Sequence, residues 1–295
     1  RQIIRGDKDS PYQLFLQAEI RLHWAITRLK FEEYLMAFNE ISITYELLEK
    51  CRKEYPDFLP ARRSYGLLKG FLGTIPRQMR WAARLIGGLD GDVAEGLQEL
   101  KGVWHAIHHQ GGPEYFFQET LTLYCLAQLY LAQEPAKALD LLKTQQLTPS
   151  SNPVHTFLLA LVYMKNWQND RAIAVLQEAP KTDAYFPLSY LDYLLGETHL
   201  RKLDPKADHF FERYLEARPG PHYRKDAWVK RAYLAQIQGR SQAIIDSFLL
   251  QCQQSGALLT DEDKRAHRLA KGEDPFPSRS QLEVQLLFDG GYFDT

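Results

Sequence analysis

Three histidines stand close together in the segment WHAIHHQ, at His105, His108 and His109. On a helix this spacing would place two or three imidazoles on one side, and imidazole nitrogens bind zinc. The segment contains no HExxH arrangement and no acid before Gly111, and histidines near a helix end also interact favourably with the helix dipole. We therefore expect no metal, and a metal-dependent enzyme centred on His105 and His109 is the weakest of three functional hypotheses.

Two acids in the segment GLDGDVAEG, Asp90 and Asp92, resemble the beginning of a calcium loop. The further alternate ligands and the closing glutamate of such a loop are missing. An N-cap at Asp90 or Asp92, with Glu95 as the capping-box partner of Asp92, explains the segment without a ligand. The sequence also lacks a nucleophile elbow, a Walker loop, a dinucleotide glycine pattern and paired CxxC motifs. We predict a non-catalytic protein without a cofactor.

One segment, from Phe58 to Leu89, has six basic residues and no acid. The basic residues are Arg62, Arg63, Lys69, Arg77, Arg80 and Arg84. Interleaved with aromatic residues, such a run can dock against anionic lipid or an acidic partner. The alternative is a solvated face that acids of neighbouring helices neutralise. The sequence leaves both interpretations open.

The bulk composition favours an ordinary globular protein. Of 295 residues, 45% are hydrophobic and 25% are charged, and 36 basic residues nearly balance 37 acidic ones. A net charge of -1 provides no general attraction for nucleic acid, so we expect no nucleic-acid partner. The cysteines, Cys51, Cys125 and Cys252, are far apart in apolar helical patterns and are predicted to be buried thiols. The chain begins at Arg1 rather than Met, and we assign it no compartment.

The elements that must position these residues are helices. Apolar residues recur at helical spacing along nearly the whole chain, which predicts an all-α protein. In the first helix, Ser10 is the predicted N-cap and Pro11 suits the first turn. A stripe of apolar residues in that helix is predicted to be buried. It consists of Leu14, Ala18, Leu22 and Ile26.

A small residue recurs along the middle of the chain. It is Ala127, Ala160, Gly196 and Ala232, at intervals of 33, 36 and 36 residues. A second series, Ala138, Ala172 and Ala207, has intervals of 34 and 35 residues. Small side chains let two packed helices approach closely, so the pattern predicts repeated helix hairpins.

This pattern resembles the tetratricopeptide repeat (TPR), whose period is about 34 residues. The resemblance implies an all-α, right-handed alpha-alpha superhelix, a TPR-like solenoid of antiparallel helix hairpins. We expect TPR-like repeats over residues 113–295, after a divergent N-terminal helical region, residues 1–112, packed on the array. The expected repeats cover about 114–148, 150–182, 186–220 and 222–255, followed by a truncated or capping repeat over 276–295, which looks like the first helix of another hairpin.

Residues 66–100 carry a second, fainter resemblance. The spacing of Gly66, Pro76, Asp92 and Gly96 is similar to a stretch in the Iml family of TPR proteins, which includes a yeast inclusion-body clearance protein and its animal relatives. Val93 stands where that family often has arginine. We therefore use this resemblance for architecture alone.

The TPR resemblance implies a concave groove lined by the first helix of each hairpin. The slot three residues before each small residue holds Tyr124, Phe157, Tyr193 and then Val229. With the adjoining slots, the candidate groove residues are Leu121, Tyr124, Gln128, Val154, Phe157, Leu161, Tyr190, Tyr193, Glu197, Val229 and Tyr233. An aromatic row of this kind suits a peptide with apolar anchors. The alternative is that neighbouring helices cover the row.

Charged residues are few in this predicted groove: Glu197, Arg201 and Asp226. They do not form the basic and amide pattern with which some TPR domains bind a terminal carboxylate, so a chaperone-tail receptor is disfavoured. We expect a non-catalytic scaffold or adaptor that binds a protein or peptide in the groove. The main alternative is a peripheral membrane scaffold that uses the basic segment 62–84.

Overall fold

The computed structural model describes residues 10–75, 89–180, 182, 185, 187–217 and 220–294. Within these residues the chain has 14 helices and no strand, which confirms the predicted all-α class. None of these helices is both long enough and apolar enough to cross a membrane. The chain divides into two compact units between Ala138 and Leu139. The boundary at residue 112 was argued from the repeat pattern and stays a prediction.

The first unit contains five complete helices and the beginning of a sixth. They are α1 (Pro11–Lys30), α2 (Tyr34–Glu54), α3 (Leu59–Gly73), α4 (Val93–Gln110), α5 (Glu114–Tyr130) and α6 (Pro135–Lys143), which spans the division. The Ser10 side chain caps α1, and the Asp92 carboxylate accepts a hydrogen bond from the Glu95 amide at 2.8 Å to cap α4. Both caps agree with the sequence, because a cap depends only on residues within one turn.

The core of the first unit lies between packed helix pairs, α1 with α2 and α3 with α4. Ala18, Leu48 and Cys51 are fully buried there. All three cysteines of the chain are buried free thiols, which confirms that prediction, and burial raises the pKa of Cys51 to about 11. The stripe predicted on α1 is only partly buried, because Ile26 is half exposed.

The second unit contains eight complete helices. They are α7 (Pro153–Lys165), α8 (Asn169–Gln177), α9 (Tyr190–Arg201), α10 (Lys206–Glu216), α11 (Arg224–Ile237), α12 (Gln242–Gln254), α13 (Asp261–Ala270) and α14 (Arg279–Gly290). The first six form three successive hairpins, in which α7 packs on α8, α9 on α10 and α11 on α12.

The hairpin turns share one backbone feature that gives the chain a repetitive, helical-repeat character. In each of five short turns, one residue adopts the left-handed conformation with φ between 53° and 65°. These residues are Glu32, Gln133, Trp167, Leu203 and Gly239. A left-handed residue after a helix ends it sharply and sends the chain back along the helix it has just left. The same left-handed turn residue is therefore found in hairpins of both units.

Small residues permit the close packing of these hairpins, as the sequence predicted. Ala160, Gly196 and Ala232 are buried in α7, α9 and α11. A Cβ atom on Gly196 would lie 2.6 Å from the ring of Phe211 in α10, well inside van der Waals contact. The predicted close approach is therefore confirmed at Gly196.

The end of the described chain does not continue this pattern. Helix α13 packs against α11 and α12, as the first helix of a further hairpin would. Helix α14, where the sequence predicted such a first helix, instead packs against α9 and α11. A capping box between Ser278 and Gln281 begins α14 after the proline-containing segment DPFP, which separates it from α13. We call residues 276–294 the C-terminal strap.

Candidate protein-binding site

Most of the predicted groove residues are core residues in the structure. Six are buried: Leu121, Tyr124, Gln128, Leu161, Tyr193 and Val229. Four are partly buried, namely Phe157, Tyr190, Glu197 and Tyr233, and only Val154 is exposed. An exposed aromatic row is therefore not what the structure shows, because Tyr124, Tyr193 and Val229 are buried and Phe157 is partly buried.

The aromatic residues of the second unit contact one another. The Tyr190 ring stacks on Tyr193 at 5.3 Å between ring centroids, and Phe157 lies 6.1 Å from Tyr190. Tyr223, just before α11, places its ring 5.1 Å from Tyr193. These rings therefore form one aromatic cluster between α7, α9 and the start of α11, in which Tyr193 is buried and Phe157, Tyr190 and Tyr223 are partly buried.

A network of charged residues lies beside this cluster. The Tyr193 hydroxyl donates a hydrogen bond to Asp226 Oδ2 at 2.6 Å. Lys230 Nζ lies 3.4 Å from the same carboxylate and also pairs with Glu197, while Arg201 Nη2 lies 3.7 Å from Glu197 Oε2. The sequence analysis noted Glu197, Arg201 and Asp226 but missed Lys230. Lys230 lies four residues after Asp226 on one helix, and this spacing could have predicted the ion pair between them.

Burial and pairing shift the pKa values of this network in opposite directions. Burial raises the pKa of Asp226 to about 6, with Glu197 adding to the rise and Lys230 opposing it. Burial also acts to raise the pKa of Glu197, but Lys230 and Arg201 outweigh it and hold that pKa below its usual value. The two acids raise the pKa of Lys230 despite its burial. At neutral pH two anions and two cations compensate each other, so the network is a closed structural unit.

A second buried acid fixes the position of this network. Asp263 of α13 is fully buried and accepts hydrogen bonds from the backbone amides of Tyr223, Lys225 and Asp226 at 2.7, 3.0 and 3.2 Å. These amides belong to the N-terminal end of α11, where backbone donors lack partners within the helix. Asp263 therefore holds α11 and its Asp226 side chain in place.

The first unit presents a different surface, an apolar cleft of 440 Å³ between α1, α3 and α5. Ile26, Phe71 and Tyr130, one from each helix, are about half exposed at its rim. The other apolar residues of the lining are Leu22, Ala25, Leu29, Ile41, Leu67, Leu68, Leu123, Leu126, Ala127 and Leu131. We call this space the apolar cleft.

On each of the three helices the first lining residue is charged, namely Glu19, Arg63 and Glu119, while His23 lies further along α1. We call the part of the cleft at these three residues its polar end. Arg63 Nη1 bonds Glu119 Oε2 there at 2.6 Å. Within the described residues, Arg63 Nε and Glu19 Oε1 are buried and have no hydrogen-bond partner. The polar end therefore offers one unused donor and one unused acceptor. The sequence analysis missed the cleft, since an apolar stripe such as that of α1 does not show whether another helix covers it.

The basic segment is neutralised where the structure describes it. Arg62 Nε lies 2.8 Å from Glu99, Arg63 pairs with Glu119, and Lys69 Nζ lies 3.1 Å from Glu95. Arg63 and Lys69 are also buried. These three cations therefore do not form the open basic surface that the sequence allowed. Arg77, Arg80 and Arg84 lie outside the described residues, and the patch as a whole stays a prediction.

The three histidines near the end of α4 are exposed and do not converge. His108 Nδ1 lies 2.8 Å from the Trp104 carbonyl oxygen of its own helix, and its ring contacts Trp104 and Phe117. In the described part of the chain, no group of three or more metal-ligating side chains could hold an ion. The expectation that the protein is not an enzyme stays a prediction.

Comparison with known proteins adds no family to these observations. No protein-family model matches the chain, and no curated protein matches it. Both family resemblances therefore stay predictions.

Proposed function

We propose that this protein is a non-catalytic scaffold or adaptor that binds a segment of another protein on the face formed by its first helices. We further propose that its hairpins stack as a TPR-like, right-handed superhelix. Three observations support the repeat architecture: the successive hairpins, the small residues at their contacts and the left-handed residue in their turns. Such repeat arrays use their extended surfaces for binding.

The apolar cleft carries the functional proposal. Its volume of 440 Å³ lies within the range of about 300–1,000 Å³ typical of ligand sites. Its half-exposed rim joins three helices in one apolar surface, and contiguous apolar surface on a monomer marks an interaction site. The proposed binding position differs from the predicted groove, because the cleft lies between α1, α3 and α5, and of these helices only α5 carries predicted groove residues.

The polar end of the cleft favours a protein segment as the occupant. Both atoms are closed to solvent, so their side chains must turn towards the cleft when a segment binds. Arg63 Nε then donates to a main-chain carbonyl and Glu19 Oε1 accepts from a main-chain amide, so a peptide satisfies both groups. A buried group without a partner costs about 1–3 kcal/mol, so these two bonds add affinity. Glu19 and Glu119 make the same end unfavourable for an anionic head group. We expect a segment with large apolar side chains at helical or extended spacing.

Selection of a displayed peptide library on the full chain tests this proposal. The selected peptides should bind the wild type and lose at least about tenfold in affinity for Tyr130→Glu, a charge at the cleft rim. Tyr115→Glu is the matched control, because Tyr115 is an exposed tyrosine of the same helix that does not line the cleft. Peptides that bind both variants equally well would show that the cleft is not the binding site.

A second candidate, a lipid surface, is favoured by the tip of the α1–α2 hairpin. Phe31, Tyr34, Leu35 and Met36 are all exposed there, Leu35 by 83% and Phe31 by 74%. Aromatic and aliphatic side chains at one tip can enter the membrane interface. Liposome flotation should then persist at high salt and be lost in Leu35→Asp. Flotation that salt abolishes but Leu35→Asp does not would point to the basic segment 62–84 instead.

A further inference from the structure

The C-terminal strap follows a defined path across the second unit. Its Phe276 ring lies 5.6 Å from Tyr233 of α11, and its helix α14 packs on α11 and α9 with Leu282 buried. Beyond α14 it reaches the turn between α7 and α8. The strap thus contacts three successive hairpins, and two of its contacts, with Tyr233 and Arg201, involve residues noted in the predicted groove.

Two glycines fit the end of the strap to this surface. Gly291 has φ +81°, and a Cβ atom there would overlap the carbonyl oxygen of Trp167. A side chain at this position would therefore be strained by its backbone and blocked by its neighbour. A Cβ atom on Gly290 would lie 2.6 Å from the ring of Tyr292 in the strap itself and 3.3 Å from Arg201 Cβ, so this glycine lets Tyr292 fold back towards α14. Arg201 Nη1 donates to the Asp289 carbonyl at 3.3 Å.

Tyr292 forms two specific hydrogen bonds beside this contact. Its hydroxyl accepts from Asn169 Nδ2 at 3.0 Å and donates to Asp170 Oδ1 at 2.9 Å. Other contacts hold both receiving residues in place: Asn169 Nδ2 also donates to the Thr198 carbonyl at 2.8 Å, and Lys202 pairs with Asp170 at 2.8 Å. The surface is therefore arranged by contacts that do not involve the strap, as expected of a receptor site.

The strap is held on one face only. Val284 is 70% exposed, and Phe288 and Phe293 contact each other on the outside of the strap. Helix α14 has 12 residues, a length at which a helix in water is marginal without packing. Its stability therefore depends on its packing against α9 and α11. Release of the strap would expose its contacts on these helices and on the α7–α8 turn, which is the opening that the proposal below requires.

We propose that the α7–α8 turn and the C-terminal end of α9 form a docking site for a helical protein segment ending in Gly-Gly-Tyr. The strap fills this site within the chain, and a partner segment of the same chemistry competes for it. Two pairings provide the specificity: Gly291 allows close approach to Trp167, and the tyrosine hydroxyl bonds Asn169 and Asp170. This site lies in the second unit, so its test is independent of the apolar cleft.

A labelled synthetic peptide of residues 276–294 tests the proposal on the full chain. In the wild type the tethered strap competes at an effective concentration in the mM range, so the peptide should bind weakly. Gly291→Val alters the strap and leaves the receiving residues unchanged. We expect fluorescence anisotropy to show binding about tenfold tighter or more to this variant. Hydrogen exchange of the α14 amides should confirm that the strap is released, with Leu282→Asp as a second release variant.

Two matched changes test whether the released site recognises the hydrogen bonds of Tyr292 in the strap. Asp170→Ala, in the Gly291→Val chain, removes an exposed acceptor, and a Tyr292→Phe peptide keeps the ring but loses both hydrogen bonds. Each should weaken binding about fivefold or more. Equal binding to wild type and both release variants would overturn the proposal, as would binding that neither change weakens. A strap whose amides stay protected in both release variants would also overturn the proposal. The same holds for a released chain that binds no peptide, because the strap would then be a fixed part of the fold and not the ligand of a site.

Discussion

The two units place first helices side by side but fill the faces of those helices with different residues. In the first unit, leucine, isoleucine and phenylalanine line an open apolar cleft between α1, α3 and α5. In the second, tyrosines and a network of acids and cations close the space between α9 and α11. One type of hairpin therefore gives either an open or a closed surface, according to the side chains on its first helix.

The position of the ion pairs explains this difference. In the first unit, Lys69 and Arg62 reach acids on α4, and the pair that joins α3 to α5, Arg63 with Glu119, lies at the polar end of the cleft. The rest of the cleft lining is mostly apolar. In the second unit, Glu197 and Lys230 pair directly between α9 and α11. An ion pair in the middle of the contact between two first helices occupies the surface that a ligand would need, while a pair at the end of the cleft, or one formed with a second helix, does not.

The largest expected effect comes from breaking the closed network. Lys230→Met would leave Asp226 and Glu197 buried with only Arg201 nearby, and removing one partner of a buried ion pair costs about 3–5 kcal/mol. Lys50→Met is the control, since Lys50 forms an exposed pair with Glu54 that contributes at most about 0.5 kcal/mol. Urea unfolding of the full chain measures both. A loss below about 1 kcal/mol for Lys230→Met would mean that the network is not a closed unit.

Local sequence features predicted much of the fold but only part of the site. Periodicity and spacing reveal features that depend on residues within one helix or one hairpin. These features are the helical class, the Asp92 cap and the contact at Gly196. The cleft depends on what covers an apolar stripe, and periodicity identifies the stripe of Ile26 but not its neighbour. The strap joins Gly291 to Trp167, more than a hundred residues earlier, and no local pattern encodes such a pairing.

The pH dependence of stability separates the network from an ordinary surface pair. The pKa of Asp226 is raised from 3.8 to about 6, so the folded chain binds this proton more tightly than the unfolded chain. Its contribution to the free energy of unfolding is therefore greatest below about pH 4 and is lost as the pH rises through about 6. Asparagine does not titrate, so Asp226→Asn should destabilise the chain by about 2 kcal/mol more at about pH 4.5 than at about pH 7.

Paired unfolding curves of wild type and Asp226→Asn at the two pH values measure this difference. The lowered pKa of Glu197 acts with the opposite sign, because its contribution is present above its unfolded pKa and is lost as the pH falls. Glu197 titrates in both chains, so the comparison reports mainly on Asp226. Equal destabilisation at both pH values would show that Asp226 has no raised pKa.

A smaller effect compares one tyrosine hydroxyl in each unit. Tyr193→Phe removes a hydrogen bond to the buried Asp226 carboxylate and should cost about 1–2 kcal/mol, since bonds to charged groups are the stronger ones. Tyr45→Phe in the first unit removes two longer contacts, 3.3 Å to the Tyr65 hydroxyl and 3.5 Å to Lys69 Nζ, and should cost about 0.5–1 kcal/mol. Denaturant unfolding gives both values, and the reverse order would mean that the charged network does not strengthen its hydrogen bonds.

The smallest expected effect tests whether the cleft is open, and it uses two neighbouring residues of α3. Phe71 is about half exposed at the cleft rim, whereas Leu72 is buried in the core. Phe71→Ala should change the free energy of unfolding by less than about 1 kcal/mol, because its ring is only partly removed from water. Leu72→Ala should cost about 2–5 kcal/mol, because it leaves a cavity. If Phe71→Ala were as costly as Leu72→Ala, the cleft would be part of the core, and both units would have closed first-helix faces.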